Sequence, residues 1–119
     1  MKIVIRGGSI QKQLTDDLKD SLTTDSCTVE KITTLHIETD SGIEDVSVSV
    51  EDTYYDSNNN TWTIVYRWVG SPPYVDTYYR RLELRTNSGK IYAVYTEEFY
   101  VSSDVESLEI IWLVYIHHE

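Results

Sequence analysis

The chain has 119 residues, of which 40% are apolar and 25% are charged, a balance typical of one folded domain rather than of a disordered or membrane-spanning chain. Its 20 acidic and 10 basic residues give a net charge of −10, which repels nucleic-acid phosphate and anionic lipid. Neither nucleic-acid binding nor membrane insertion is therefore expected. The single cysteine, Cys27, excludes an internal disulfide and a cysteine-based zinc site.

Two features of the composition favour β-structure over helix. The chain contains 10 tyrosines, and its one alanine is Ala93. Alanine is the best helix former, whereas tyrosine and β-branched residues suit the half-buried surface of a sheet. Tyrosine also gives a large contact area with a polar tip, so it is common on recognition surfaces.

The first elements predicted are a short strand over residues 2–6 and a helix over about 9–22. Ser9 is the predicted N-cap of this helix. A narrow apolar stripe at four-residue spacing indicates a helix docked on a sheet, and its members are Ile10, Leu14, Leu18 and Leu22.

From Thr28 onward the apolar period changes from four to two, which is typical of strands. Turn residues separate these segments at Asp40-Ser41-Gly42, at a polar loop over 56–60, and at the Thr86 to Gly89 hairpin turn. The remaining predicted strands are 28–37, 46–51, 61–69, 78–85, 90–96 and 108–116.

The last predicted strand is apolar on both sides. Strands of this kind are normally covered on both faces, so a second cover is expected in addition to the core, either the N-terminal helix or another subunit. One side consists of Leu108, Ile110, Trp112, Val114 and Ile116, and the other of Ile111, Leu113 and Tyr115.

These elements predict a mainly β fold: an antiparallel β-sandwich or jelly-roll-like barrel with one short N-terminal α-helix. The whole chain, 1–119, is expected to form a single domain, with the helix at about 9–22 and the sandwich at about 28–117.

No motif in the sequence predicts a catalytic, metal or cofactor site. The histidines are His36, His117 and His118, and the last two point to opposite faces of a strand, so they do not suit one ion. Asp56-x-Asn58-x-Asn60 imitates the start of a calcium loop but lacks its glycine and its closing glutamate. The three arginines at 80, 81 and 85 are expected to pair with neighbouring acids.

Aromatic residues give the strongest indication of function. Several tyrosines cluster near the predicted loops, and exposed tyrosines beside a proline turn suit a contact site. Together with the second side of the last strand, they form the predicted interface set: Tyr54, Tyr55, Tyr74, Tyr78, Tyr79, Ile111, Leu113 and Tyr115.

The hairpin Leu82 to Ala93, the segment Glu98 to Val101 and the closing run Leu108 to Val114 resemble the terminal β-domain of viral tail-fibre and virion appendage proteins of phages or archaeal viruses. This resemblance implies an oligomeric viral structural or attachment protein, located in the virion or the host cytoplasm. It implies as partners a second copy of the chain and another virion or host protein, and it carries over no catalytic residue.

Two other functions remain open at this point. One is a carbohydrate-binding module or small glycosidase, in which tryptophan and tyrosine stack on a glycan and paired acids such as Glu97-Glu98 act on it. The other is an intracellular adaptor or inhibitor whose acidic face meets a basic partner. The N-terminal apolar run is too short for a secretory signal.

Overall fold

The computed structural model describes residues 1–7, 9–10 and 31–117, which form two β-sheets packed face to face. The strands are β1 Lys2–Arg6, β2 Ser9–Ile10, β3 Ile32–Thr39, β4 Ile43–Ser47, β5 Ser49–Asp56, β6 Thr61–Gly70, β7 Thr77–Thr86, β8 Ile91–Tyr95, β9 Phe99–Val101 and β10 Leu108–His117. Sheet A has four strands in the order β1-β10-β6-β5, and sheet B has the order β2-β8-β7-β3-β4 with β9 also paired to β7. The prediction of a mainly β sandwich is therefore confirmed. The prediction that it is antiparallel throughout is wrong at one edge, because β1 pairs with β10 in parallel.

The core lies between the two sheets and is built from alternate side chains of the central strands. Because successive side chains of a strand point to opposite faces, every second residue of β10 and β6 enters it. The Trp112 indole Nε1 also donates a hydrogen bond to the Gly7 carbonyl oxygen at 2.8 Å, which ties the chain after β1 to the core. Fully buried members include Leu35, Ile37, Ile64, Tyr66, Leu82, Leu84, Ile110, Trp112, Val114 and Ile116.

The valine-rich segment after the first turn differs from its prediction as one half-buried strand. It forms β4 in sheet B and β5 in sheet A, separated only by Val48. The Val48 amide donates to the Thr33 carbonyl oxygen at 3.1 Å, outside the regular ladder. A second change of sheet separates β1 from β2 at Gly7, whose φ of 80° suits glycine. Alternation predicts a strand locally, but it carries no information about which sheet the strand joins.

The predicted N-terminal helix lies largely outside the described residues. Ser9–Ile10 form β2, with Ser9 opposite Val94 of β8, so Ser9 is not the N-cap of a helix. Residues 11–30 are not described, and a helix within them stays a prediction. Within the described ranges, no helix has the length and apolarity needed to cross a bilayer.

Candidate contact surface

Strand β10 lies inside sheet A, between β1 and β6, and its two sides have different surroundings. Its inner side chains fill the core. By alternation, Ile111, Leu113 and Tyr115 lie on the outer side of the sheet, where Tyr115 is 38% exposed. The strand register places Val4 beside Ile111, and Val65 beside Leu113. We call these five residues, Val4, Val65, Ile111, Leu113 and Tyr115, the apolar face.

The apolar face is open to solvent in the part of the chain that the structure describes. Val4 is 43% exposed, and Val65, Ile111 and Leu113 are partly exposed. None of the described strands packs over it, because sheet B covers only the inner side of sheet A. The two-sided apolar pattern of β10 thus corresponds to one side in the core and one side at the surface.

One row of side chains crosses the apolar face from edge to edge. The register pairs Arg6 with Leu113, Leu113 with Val65, and Val65 with Asp52. The row therefore has a cation on β1, two apolar residues in the middle and an anion on β5. Arg6 and Asp52 are both exposed, and neither makes an ion pair with another described residue.

Other charges near the apolar face are paired within the sheet. The Arg67 Nε donates to Glu109 Oε2 at 2.6 Å and lies 3.8 Å from Glu51 Oε1. The hydrogen bond to Glu109 raises the pKa of the Arg67 guanidinium. Lys2 Nζ lies 4.0 Å from Glu109 Oε1. These contacts neutralise one end of the sheet.

The outer side of sheet B carries charged groups instead. The register places His36 opposite Glu83 and Glu38 opposite Arg81. We call this cluster the charged face; its members are His36, Glu38, Asp45, Arg81, Glu83 and Arg85.

A bulge in β7 places Arg80 beside the charged face, next to Arg81. Glu38 pairs with Arg81 but the next residue, Thr39, pairs with Tyr79, so Arg80 is the extra residue. Arg80 bonds both carboxylate oxygens of Asp40, at 2.9 and 2.7 Å. This bidentate hydrogen bond holds the pKa of Asp40 below its ordinary value. The expected pairing of the three arginines with acids is confirmed.

Glu83 is the buried centre of the charged face. Its side chain is only 2% exposed, and both carboxylate oxygens are occupied. Arg81 Nε donates to Oε2, and Arg85 Nε donates to Oε1 at 2.8 Å. Burial raises the pKa of Glu83, but the hydrogen bonds from Arg81 and Arg85 outweigh it, so this pKa lies below its ordinary value.

His36, Glu38 and Glu83 bring three potential metal ligands within 4.8 Å of one another. However, the His36 Nδ1 lies 2.5 Å from Asp45 and its Nε2 lies 3.1 Å from Glu38, so both ring nitrogens already have acidic partners. Arg81 also lies 3.7 Å from Glu38 and bonds Glu83. A divalent cation would have to displace this guanidinium, so the donor set fits an ion-pair network better than a metal site.

The predicted interface tyrosines are dispersed over the sandwich. Tyr54 is 46% exposed on the outer side of sheet A, near the apolar face. Tyr55 lies at the inner edge of β5, with its ring 5.2 Å from Trp62. Tyr78 lies on the outer side of sheet B, with its ring 5.1 Å from Tyr100 and 4.8 Å from the Arg80 guanidinium carbon.

Two of these tyrosines have structural positions. Tyr79 is fully buried and its hydroxyl donates to the Tyr74 carbonyl oxygen at 2.7 Å, so its prediction as an interface residue is wrong. The bulge at Arg80 reverses the expected side-chain direction at this position. Tyr74 lies against Gly42, where a Cβ would come within 2.5 Å of its ring. Its hydroxyl donates to the Ile43 carbonyl oxygen at 3.2 Å.

Sequence reasoning missed Val4 and Val65 as members of the apolar face. Val4 lies between Lys2 and Arg6 on its side of β1, and Val65 lies between Thr63 and Arg67 on its side of β6, so the alternation alone assigns both to solvent. It also missed Arg6 and Asp52, which become related only through the register of four strands. No local signal in the sequence pairs a residue near position 6 with one near position 52.

An open groove of about 430 Å³ lies between β1 and β8. Its acidic lining within the described residues is Glu97, and its basic lining is Arg6. Hydrolysis of a glycoside requires two carboxyl groups that flank the bond. The groove therefore lacks, among the described residues, the acid pair that a glycosidase needs.

Comparisons of the chain with protein-family models, curated proteins and solved structures find no match.

Proposed function

We propose that this protein is a non-catalytic module that acts through protein–protein contact, as a structural or attachment component of a virus. The observation that carries the contact function is the apolar face, five apolar side chains side by side on the outer side of sheet A. Large apolar areas on a protein surface commonly mark interaction sites. The viral assignment is supported by the sequence resemblance of the C-terminal half to tail-fibre and appendage domains.

The finer fold assignment, a jelly-roll-like barrel, belongs to the same proposal. Its support is the two places, Gly7 and Val48, where the chain passes from one sheet to the other at opposite edges. Such crossings occur where sandwiches begin to close into barrels.

Site-specific photo-cross-linking tests the contact function. A photoreactive phenylalanine replaces Tyr115, on the apolar face, in cells that produce the virus. The matched control carries the same group at Val75, which is 42% exposed on the loop before β7. We expect one discrete protein adduct at position 115, identified by mass spectrometry, that disappears when Leu113→Asp is added. Equal labelling at positions 115 and 75 would reject the apolar face as a contact surface.

The viral part is tested separately by mass spectrometry of purified particles. We expect a constant ratio of this chain to the capsid protein through successive purification steps. Loss of the chain from the particle fraction, with retention in the host lysate, would reject the virion role and favour the adaptor function.

A carbohydrate-binding role is the second function to compare. Its support is the exposed pair Tyr78 and Tyr100, whose rings could offer a platform to a sugar. A glycan array with Tyr78→Ala as the control tests it, and binding that survives this substitution would place the sugar elsewhere.

A further inference from the structure

We propose that the occupant of the apolar face is a second copy of this chain, packed sheet A to sheet A about a two-fold axis that runs parallel to β10. This inference rests on the contact function proposed above and specifies its partner and geometry. The juxtaposition that carries it is the row Arg6, Leu113, Val65, Asp52.

The row is self-complementary under such an axis. A two-fold axis parallel to the strands, between β10 and β6, places β1 of one copy over β5 of the other. Arg6 then faces Asp52 of the second copy, and the same contact forms again at the other end. Leu113 faces Val65 in the middle. A two-fold axis perpendicular to the strands would instead place Arg6 over Arg6, which like charges disfavour.

The outer side of sheet A, which contains the apolar face, has the size of a small dimer interface. Its strands have 5, 10, 10 and 8 residues, so at about 3.3 Å per residue and about 4.8 Å between strands it covers roughly 500 Å² in projection. Two copies would therefore bury about 1,000 Å², which is near the lower limit of specific interfaces. Sheets that pack face to face lie about 10 Å apart, a gap that an arginine and an aspartate can bridge.

The charges of the row would also select the orientation of the two copies. The net charge of −10 opposes association in general, so the two attractive contacts between Arg6 and Asp52 would favour this arrangement over others.

Charge exchange in the full chain tests the arrangement. Sedimentation velocity over micromolar to millimolar protein measures dimerisation of the wild type, Arg6→Glu, Asp52→Arg and the double variant. The salt concentration is about 0.15 M, at which the repulsion between two chains of net charge −10 is partly screened. We expect the wild type to dimerise, each single reversal to weaken the dimer by about tenfold or more, and the double variant to recover most of this loss. Circular dichroism confirms that each variant is folded.

Three results would overturn the proposal. A wild type that stays monomeric at every concentration excludes a second copy, while a specific cross-link from position 115 to another protein would still support the contact function. A double variant as weak as the single variants rejects the two-fold arrangement. A dimer that persists in Leu113→Asp places the dimer interface elsewhere. If the adduct at position 115 also persists in that variant, the contact function of the apolar face is rejected as well; if the adduct is lost, the contact function stands with a different partner.

Discussion

The two outer faces of the sandwich are built by the same alternation but have opposite chemistry. On sheet B, the charged face is satisfied by its own neighbours, with Glu83 held between Arg81 and Arg85. On sheet A, the apolar face is left open by the described residues. A polar surface that pairs its own groups is complete within one copy of the chain, whereas an apolar surface lowers its free energy only when something covers it. The comparison teaches that the better candidate for a contact surface is the apolar face of sheet A, and not the charged face of sheet B with its many ionisable groups.

The largest effect is expected when the buried carboxylate of the charged face, Glu83, is neutralised. Glu83→Gln removes the charge that both arginines share and leaves their donors poorly matched. Removing one member of a buried ion pair is costly, but Arg81 and Arg85 are partly exposed and can turn to water, so we expect a loss of about 2 kcal/mol in the free energy of unfolding. Urea denaturation measures it. Glu106→Gln, an exposed acid, is the matched control, and an equal loss there would contradict the special role of Glu83.

Acid should lower the free energy of unfolding, because protonation removes the charge of Glu83. Because the pKa of Glu83 in the folded protein lies below its ordinary value of 4.5, its contribution is complete above about pH 4.5. It is lost as the pH falls through the folded pKa. Asp40 contributes with the same sign below its ordinary value of 3.8. Urea denaturation from pH 7 to pH 3 should therefore show a steeper loss in the wild type than in Glu83→Gln. Parallel curves would show that Glu83 does not carry this dependence.

Association through the apolar face should make the thermal stability of the protein depend on its concentration. If association covers Leu113, dilution should lower the thermal midpoint of the wild type, because binding stabilises the folded state by mass action. Leu113→Ser should abolish this dependence and change the dilute midpoint by the equivalent of about 1 kcal/mol or less, since Leu113 is already partly exposed. Calorimetry at several concentrations checks both. If the thermal midpoint of the wild type does not depend on concentration, the apolar face is not covered by association, and the contrast drawn between the two faces fails.

The smallest effect is expected at the rim of the charged face. Asp40→Asn breaks the bidentate contact with Arg80, but both side chains are exposed, and surface ion pairs contribute little in water. Arg80 also keeps a second partner in Glu98, at 2.5 Å. The urea midpoint should therefore shift far less than in Glu83→Gln. A comparable shift would mean that the energy of this face is spread along β7 rather than concentrated at its buried carboxylate.

Much of the local structure could be predicted from particular residues. The predicted strands 61–69 and 78–85 correspond to β6 and β7. Their alternation is matched by the burial of Ile64 and Tyr66 in β6 and of Leu82 and Leu84 in β7. Gly89, with a φ of 87°, lies in the turn predicted from Thr86 to Gly89. The short strand β9 was not predicted, since three residues carry too little periodicity. Tyr79 was assigned to the contact surface because it belongs to the tyrosines near the predicted loops. The bulge at Arg80 directs its side chain into the core, and residue type alone does not reveal this bulge.

The candidate surface was predicted in part. Ile111, Leu113 and Tyr115 could be identified because β10 has too many apolar residues for one buried side. Their neighbours on the face could not, because they belong to strands far away in the sequence.

The sequence by itself determined that this chain forms strands, which side of each strand is apolar, and that β10 has an apolar side in excess. These are consequences of side-chain period and turn chemistry, which act over a few residues. Only the tertiary structure decided that the chain changes sheets at Val48, that a bulge at Arg80 directs Tyr79 into the core, and that Arg6 and Asp52 end the same row. Strand order and register arise from pairing between distant segments, and the hydrogen bonds that set them are made by the backbone, which is the same at every residue except proline.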